Sequence, residues 1–271
     1  MASKTHEYIR EFVSFSGKCP YACRHCYTYD SKYDWQQFNS IAEIIDDLKT
    51  KTFDIVYVSG HRENFIDVDL GIELVQQIYH NFKCDILITS RNIFNEKQIE
   101  KISNLNQLMK KENKNLYFCI SIPALTSYKK LEPSSVIPSS KKRMDFLKKI
   151  SLNGICTMLT IKPLCPNQFI PTNEVLEIIK RCHQYSNIIL ASGIVVNDEI
   201  ISRMKTDITD FKGTKNKLMA CLNNEIEVVY VDVTKELKRI KTLCQKHAVP
   251  FFEHSLPAIE YLKNKERKTN E

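Results

Sequence analysis

Nowhere in these 271 residues does an apolar run reach the length of a membrane span. The opening Met1-Ala2-Ser3-Lys4-Thr5-His6-Glu7 has no apolar core of the kind a secretory signal carries. These absences point to a cytoplasmic protein, where ten cysteines serve as thiols or metal ligands rather than as bridges. No low-complexity linker and no repeat beyond an alternation of strands and helices interrupts the chain. A second C-x-x-C pair is missing too, so there is no finger-like cage of four close ligands. With 43% hydrophobic and 26% charged residues, the chain has material for a sizeable core. A net charge of +7 mildly favours an anionic partner, nucleic acid or an acidic protein. The dense run Lys263-Asn264-Lys265-Glu266-Arg267-Lys268 reads as a solvated, frayed tail.

What is present is concentrated near the amino end. Cys19, Cys23 and Cys26 fall within eight residues as C-x-x-x-C-x-x-C, directly after an apolar strand-like run, Tyr8 to Ser16, that stops at Gly17. Thiolates packed this closely on a loop can converge on one metal centre, and three of them leave a coordination position open, as a catalytic site requires. The residues alone leave alternatives. His25 with the three cysteines makes a possible zinc set, although His25 and Cys26 are adjacent and crowd a tetrahedron. A disulfide would leave the third thiol unexplained.

Downstream, hydrophobic periodicity alternates between two and 3.6 residues. Strands are predicted at Phe53–Val58, Asp85–Arg91, Leu116–Ile122, Cys156–Pro163 and Asn187–Ser192. Helices are predicted between them: Ile41–Leu48, Asp69–Phe82, Asn95 to about Lys111, one capped by Ser139 or Ser140, and one from Thr172. Six strand-helix repeats imply an α/β fold with a mostly parallel sheet, because parallel strands need crossover helices. After about Gly193 the rhythm loosens, and residues 201–271 are read as a carboxyl-terminal extension packing on the barrel. It holds a strand at Glu227–Val233, a helix at Thr234–Lys246, and Phe251-Phe252 and Leu256-Pro257 to seal one end of the sheet.

The cysteine spacing resembles the signature of the radical S-adenosylmethionine superfamily, with His25 in the position where an aromatic residue usually precedes the third cysteine. The resemblance implies an open partial (β/α)6 barrel over residues 1–200. It implies a [4Fe-4S] cluster held by Cys19, Cys23 and Cys26, with S-adenosylmethionine on the fourth iron. A 5'-deoxyadenosyl radical would then abstract hydrogen from a substrate, after reduction by a donor such as flavodoxin or ferredoxin. Leu131-Glu132-Pro133, Pro138, Arg143 and Gly154-Ile155 resemble a stretch of the spore photoproduct lyase-like branch, in which Arg143 would bind the cofactor's carboxylate.

Ligands sit at the carboxyl ends of strands in such sheets. Ser59, Gly60 and Glu63 therefore stand where the superfamily receives the cofactor's amino group, although Ser-Gly-His-Arg-Glu replaces the usual Gly-Gly-Glu. Ser90 and Ser121 are placed for the ribose hydroxyls or the methionine part. Cys165, after the fifth strand, is a candidate hydrogen donor to a product radical. Tyr27, Tyr29 and Tyr33 line or shield the cysteine loop. Cys84, Cys119, Cys156 and Cys182 read as small buried hydrophobes. Cys221 and Cys244 are too few for a second cluster, which argues against peptide-modifying relatives that carry additional clusters. The sequence does not name the substrate: the resemblance and the positive charge make nucleic acid one candidate, with a protein or peptide as runner-up, and the competing class is a zinc-bearing nucleic-acid-binding module without catalysis.

Overall fold

A computed structural model of the chain describes residues 8–29, 38–206, 211–220 and 224–270. Tyr33 and Trp35 of the cysteine loop, and Cys221, lie outside the described residues, as do the first seven residues. The strands are β1 (Arg10–Val13), β2 (Ile55–Val58), β3 (Asp85–Ser90), β4 (Leu116–Ser121), β5 (Cys156–Leu164), β6 (Ile188–Gly193), β7 (Val195–Val196), β8 (Gly213–Ala220), β9 (Asn224–Val231) and β10 (Phe251–Phe252). The helices are α1 (Ile41–Leu48), α2 (Val68–Phe82), α3 (Glu96–Lys111), α4 (Ser140–Leu152), α5 (Thr172–Cys182), α6 (Asp198–Met204), α7 (Thr234–Lys246) and α8 (Ser255–Asn270). Their starts follow local chemistry: Ser40 accepts from the Glu43 amide, and Asn95 with Gln98 forms a reciprocal capping box.

Seven strands form one parallel sheet in the order β1-β2-β3-β4-β5-β6-β10. Strands in chain order, joined by helices, put every crossover on one face and curl the sheet into a barrel wall. β1 and β10 each have one neighbour, so the wall stays open between them. The period of two sorts the side chains. Val56, Val58, Ile86, Ile88, Phe118, Ile120, Leu159 and Ile161 point outward into the main core beneath the helices. Tyr57, Leu87, Tyr117, Cys119, Met158 and Leu190 point inward and form a second cluster.

The carboxyl-terminal part departs from expectation. The predicted strand at Glu227–Val233 belongs to a separate three-stranded antiparallel sheet, β7-β9-β8. Its partner β8 is polar and gave no apolar signal. Phe251-Phe252 adds to β6 as a seventh parallel strand. The expected frayed tail is instead helical to Asn270. Ala258, Ile259 and Leu262 of α8 enter the inner cluster, so the helix plugs the amino-terminal end of the barrel. The plug is pinned by Lys263 Nζ to Asp85 Oδ2 at 2.5 Å, by a contact between Lys263 and Tyr8, and by Tyr57 Oη to Ser255 Oγ at 3.2 Å. What remains inside the wall is a cavity at the carboxyl ends of the strands.

Candidate active site

The cysteine loop leaves β1 and folds over that cavity in two tight turns. The Ala22 amide donates to the Cys19 carbonyl at 3.2 Å and the Cys26 amide to the Cys23 carbonyl at 3.1 Å. Ala22 takes a left-handed φ of 44° to close the first turn. The loop is held from two sides. The Arg24 amide bonds the Leu131 carbonyl at 2.8 Å, and Ser134 Oγ donates to the Pro20 carbonyl at 3.4 Å. From α6, Arg203 donates to the carbonyls of Arg24 at 3.1 Å and Cys26 at 2.5 Å. The stretch Leu131-Glu132-Pro133 is thus a strut under the cysteines.

Cys19, Cys23 and Cys26 are unbridged, pack with Tyr21 and Ile137, and all line one cavity of about 750 Å³. Burial pushes the Cys19 thiol up and the Cys23 thiol up to about 12, so both stay protonated without a metal. Coordination would release those protons, and amides of Tyr21 and Glu63 already point at Cys19 to stabilise its thiolate. Among the described residues no three Cys, His, Asp or Glu side chains stand as a ready-made ion cage. The thiols instead share one wall and need rotamer adjustment to grip a group. Three thiol donors facing an open cavity fit a thiophilic cluster with a free corner.

His25 fits the zinc alternative poorly. Its Nε2 lies 3.4 Å from the Arg91 guanidinium, and burial with that cation lowers its pKa to about 3. A ring nitrogen facing a fixed positive charge is a poor place for a second cation.

Glu63 is buried, and its carboxylate accepts from the Arg91 amide at 2.8 Å, Ser90 Oγ at 2.8 Å and the Phe65 amide at 3.2 Å. Burial raises its pKa despite those bonds. It lines the cavity with Ser59, Gly60 and Ser121. Ser59 Oγ accepts the Asn64 amide at 2.8 Å. Gly60 is required by close approach: a Cβ there would stand 2.5 Å from the Phe12 ring. Ser90 is turned away from the cavity wall, where its neighbours Thr89 and Arg91 stand, and its hydroxyl is committed to Glu63.

Two further expected site residues, besides Ser90, lie outside the cavity lining. Arg143 is fully buried, donating to Glu132 at 2.5 Å and to the Ser121 carbonyl at 2.6 Å, and is not part of the cavity lining. Beneath the cysteine loop, a guanidinium that does line the cavity is Arg91, whose Nε donates to the same Glu132 at 2.7 Å. No motif announces Arg91; only its place after the third strand could have suggested it. Cys165 is buried in the main core on the helix side, away from the cavity. Alternation along β5 puts Met158, Thr160 and Lys162 on the inner face and Leu159 and Ile161 on the outer one, so Cys165, four residues beyond Ile161, falls on the outer side. Lys162, unnoticed in the sequence because it ends an apolar strand, lines the cavity instead.

No protein-family model matches this sequence, and no curated protein matches it. Solved structures do match in fold. SuiB from Streptococcus suis bound to S-adenosylmethionine superposes with a TM-score of 0.58 at 10% identity, over 91% of this chain and 50% of SuiB. SuiB without ligand gives 0.58 at 9%, covering 91% and 49%. SuiB bound to the precursor peptide SuiA gives 0.56 at 11%, covering 91% and 49%. This chain therefore spans about half the length of the structures it matches. At such identities the likeness is one of fold, and it carries nothing for the spore photoproduct lyase-like branch.

Proposed function

We propose that this chain is a radical S-adenosylmethionine enzyme, with Cys19, Cys23 and Cys26 as ligands of a [4Fe-4S] cluster. The observation that carries the reading is that the three thiols of C-x-x-x-C-x-x-C line one cavity at the carboxyl mouth of a parallel partial barrel. The same fold is seen holding S-adenosylmethionine in SuiB. When bound, the cluster supplies the electron that splits the cofactor's sulfonium into methionine and a 5'-deoxyadenosyl radical, which takes hydrogen from the substrate.

The chain's own residues bind and orient. Ser59, Gly60 and Glu63 form the floor for the methionine end, and Ser121 with Thr89 offers hydroxyls from strand ends. Ser90 acts by holding Glu63 in place. Arg143 acts through Glu132, which aims Arg91 at the cavity. The aromatic rings of Tyr21, Tyr27 and Tyr29 exclude water from the loop. A peptide or protein substrate is favoured over nucleic acid, because SuiB with its precursor peptide shares the fold. Electrons would come from a small donor such as flavodoxin or ferredoxin.

Anaerobic reconstitution tests the reading. About four irons per chain are expected, with 5'-deoxyadenosine released on reduction in the presence of S-adenosylmethionine. Replacing Cys19, Cys23 or Cys26 by Ala should each abolish both. A colourless protein that holds one zinc instead would favour the non-catalytic zinc-bearing module.

A further inference from the structure

The cavity contains a second charged group, separate from the one beneath the cysteine loop. Near the loop stand Arg91, Glu63, Glu132 and His25, each interacting with others of that set. Towards the open side of the wall stand Arg10 of β1 and Glu253 just after β10, both exposed, and the half-buried Lys162 of β5. Lys162 feels Cys119, Arg10 and Glu253 and none of the loop-side charges, while Arg10 also acts on His61 and Tyr57.

Lys162 is the unusual member. It rises from a strand whose neighbours are apolar, and no hydrogen bond or ion pair to its ammonium occurs among the described residues. Burial pushes its pKa down, the mark of a charge held without a full counter-ion. Such a group is costly unless something pairs with it. Arg10 lies across the lumen, its guanidinium stacked on the rings of Phe12 at 5.4 Å and Tyr57 at 5.8 Å. Arg10 also hydrogen-bonds the Tyr57 side chain, which together with the stacking orients the fork and leaves donors not engaged by a carboxylate. Glu253 is exposed at the opening between β1 and β10. Within this trio two cations stand against one carboxylate, an excess of one positive charge that a monoanion balances; Arg62 and Asp232, of opposite sign, also line the cavity.

We propose that Lys162 and Arg10 form a carboxylate-binding subsite for the substrate, reached through the gap between β1 and β10. The subsite rests on the proposed function for its purpose, but its existence does not, since anion binding needs no cluster. A substrate anchored there by its carboxylate would present the rest of its body toward the cysteine loop. Any acidic side chain or chain terminus of a peptide has the required chemistry.

The test is a ligand-observed NMR titration of the full chain with succinamate, its neutral analogue succinamide, and methyl phosphate. It is run on the chain as purified and again after reconstitution with S-adenosylmethionine. Saturable binding of succinamate, absent for succinamide, is expected in both forms. Lys162→Met and Arg10→Gln should each weaken it about tenfold, the usual result of removing a charged partner, while Lys162→Arg retains it. Cofactor affinity should change less than about twofold in each variant. Thermal melts of the three variants check folding, and the Arg variant separates loss of charge from loss of structure. Preference for methyl phosphate would overturn the carboxylate assignment. Loss of cofactor affinity in Lys162→Met, with succinamate binding unchanged, would overturn it too by giving Lys162 to the cofactor. Failure of the chain to bind iron would sink the proposed function and leave the titration standing.

Discussion

Glu132 stands between two guanidiniums with no solvent on any side, accepting from Arg143 at 2.5 Å and Arg91 at 2.7 Å. Burial alone would raise its pKa, but Arg143 and Arg91 outweigh that and hold it below the ordinary carboxylate range. Removing one partner of a buried pair leaves an uncompensated charge, so Glu132→Gln should cost about 3–5 kcal/mol in urea unfolding. The exchange Arg143→Met should cost nearly as much, because it strands Glu132 and the Ser121 carbonyl. Gly60 makes a sharper claim. The Phe12 ring that blocks a Cβ there belongs to the inner cluster and cannot swing freely. Gly60→Ala should therefore destabilise by about 1–3 kcal/mol, as overpacking does, and should narrow the cavity mouth. A melting temperature unchanged from wild type would refute the close approach.

At the scale of elements, the loop between β4 and α4 decides where the strut under the cysteines sits. Glu174, in the first turn of α5, ties that loop down. It accepts from the amides of Leu125, Thr126 and Ser127 at 2.9, 2.6 and 2.9 Å, and from the hydroxyls of Thr126 and Ser127 at 2.8 and 2.6 Å. Burial pushes its pKa up, but the bonds from Ser127 and Thr126 win and bring it from 4.5 to about 2. The folded pKa lies below the unfolded one, so this stabilisation is complete above pH 4.5 and fades as pH falls toward 2. Glu174→Gln should lose about 1 kcal/mol at neutral pH, a discounted figure because the carboxylate is partly open to solvent. The difference between wild type and variant should shrink on acidification through that window in denaturant titrations.

The whole molecule is a wall of seven strands with a different filling at each end. At the amino-terminal end the filling is α8, and at the carboxyl end it is the cavity. Ile259 is completely buried against the inward residues of the strands, so Ile259→Ala should cost about 2–5 kcal/mol by chemical denaturation. Because the plug also carries Ser255 against Tyr57, the same change should loosen the floor of the cavity and weaken succinamate binding. Retention of full stability would mean that the helix lies on the barrel rather than in it.

What the chain's local chemistry determined by itself was the order of strands and helices, their caps, and the single loop that gathers three thiols. Those signals are short in range: a period of two or 3.6, a Ser or Asn before a helix, cysteines three and four residues apart. Direction and partnership were decided only in three dimensions. Arg143 turned to Glu132 instead of the cavity because a guanidinium in a core needs a buried acid. Closure of the sheet decided which face of β5 looks inward, and the period of two then sent Lys162 in with Met158 and Thr160 and Cys165 out with Leu159 and Ile161. The first turns of α8 became a plug because the inner faces of β2 to β6, contributed from positions far apart in the chain, left an apolar hole that Ala258, Ile259 and Leu262 fill.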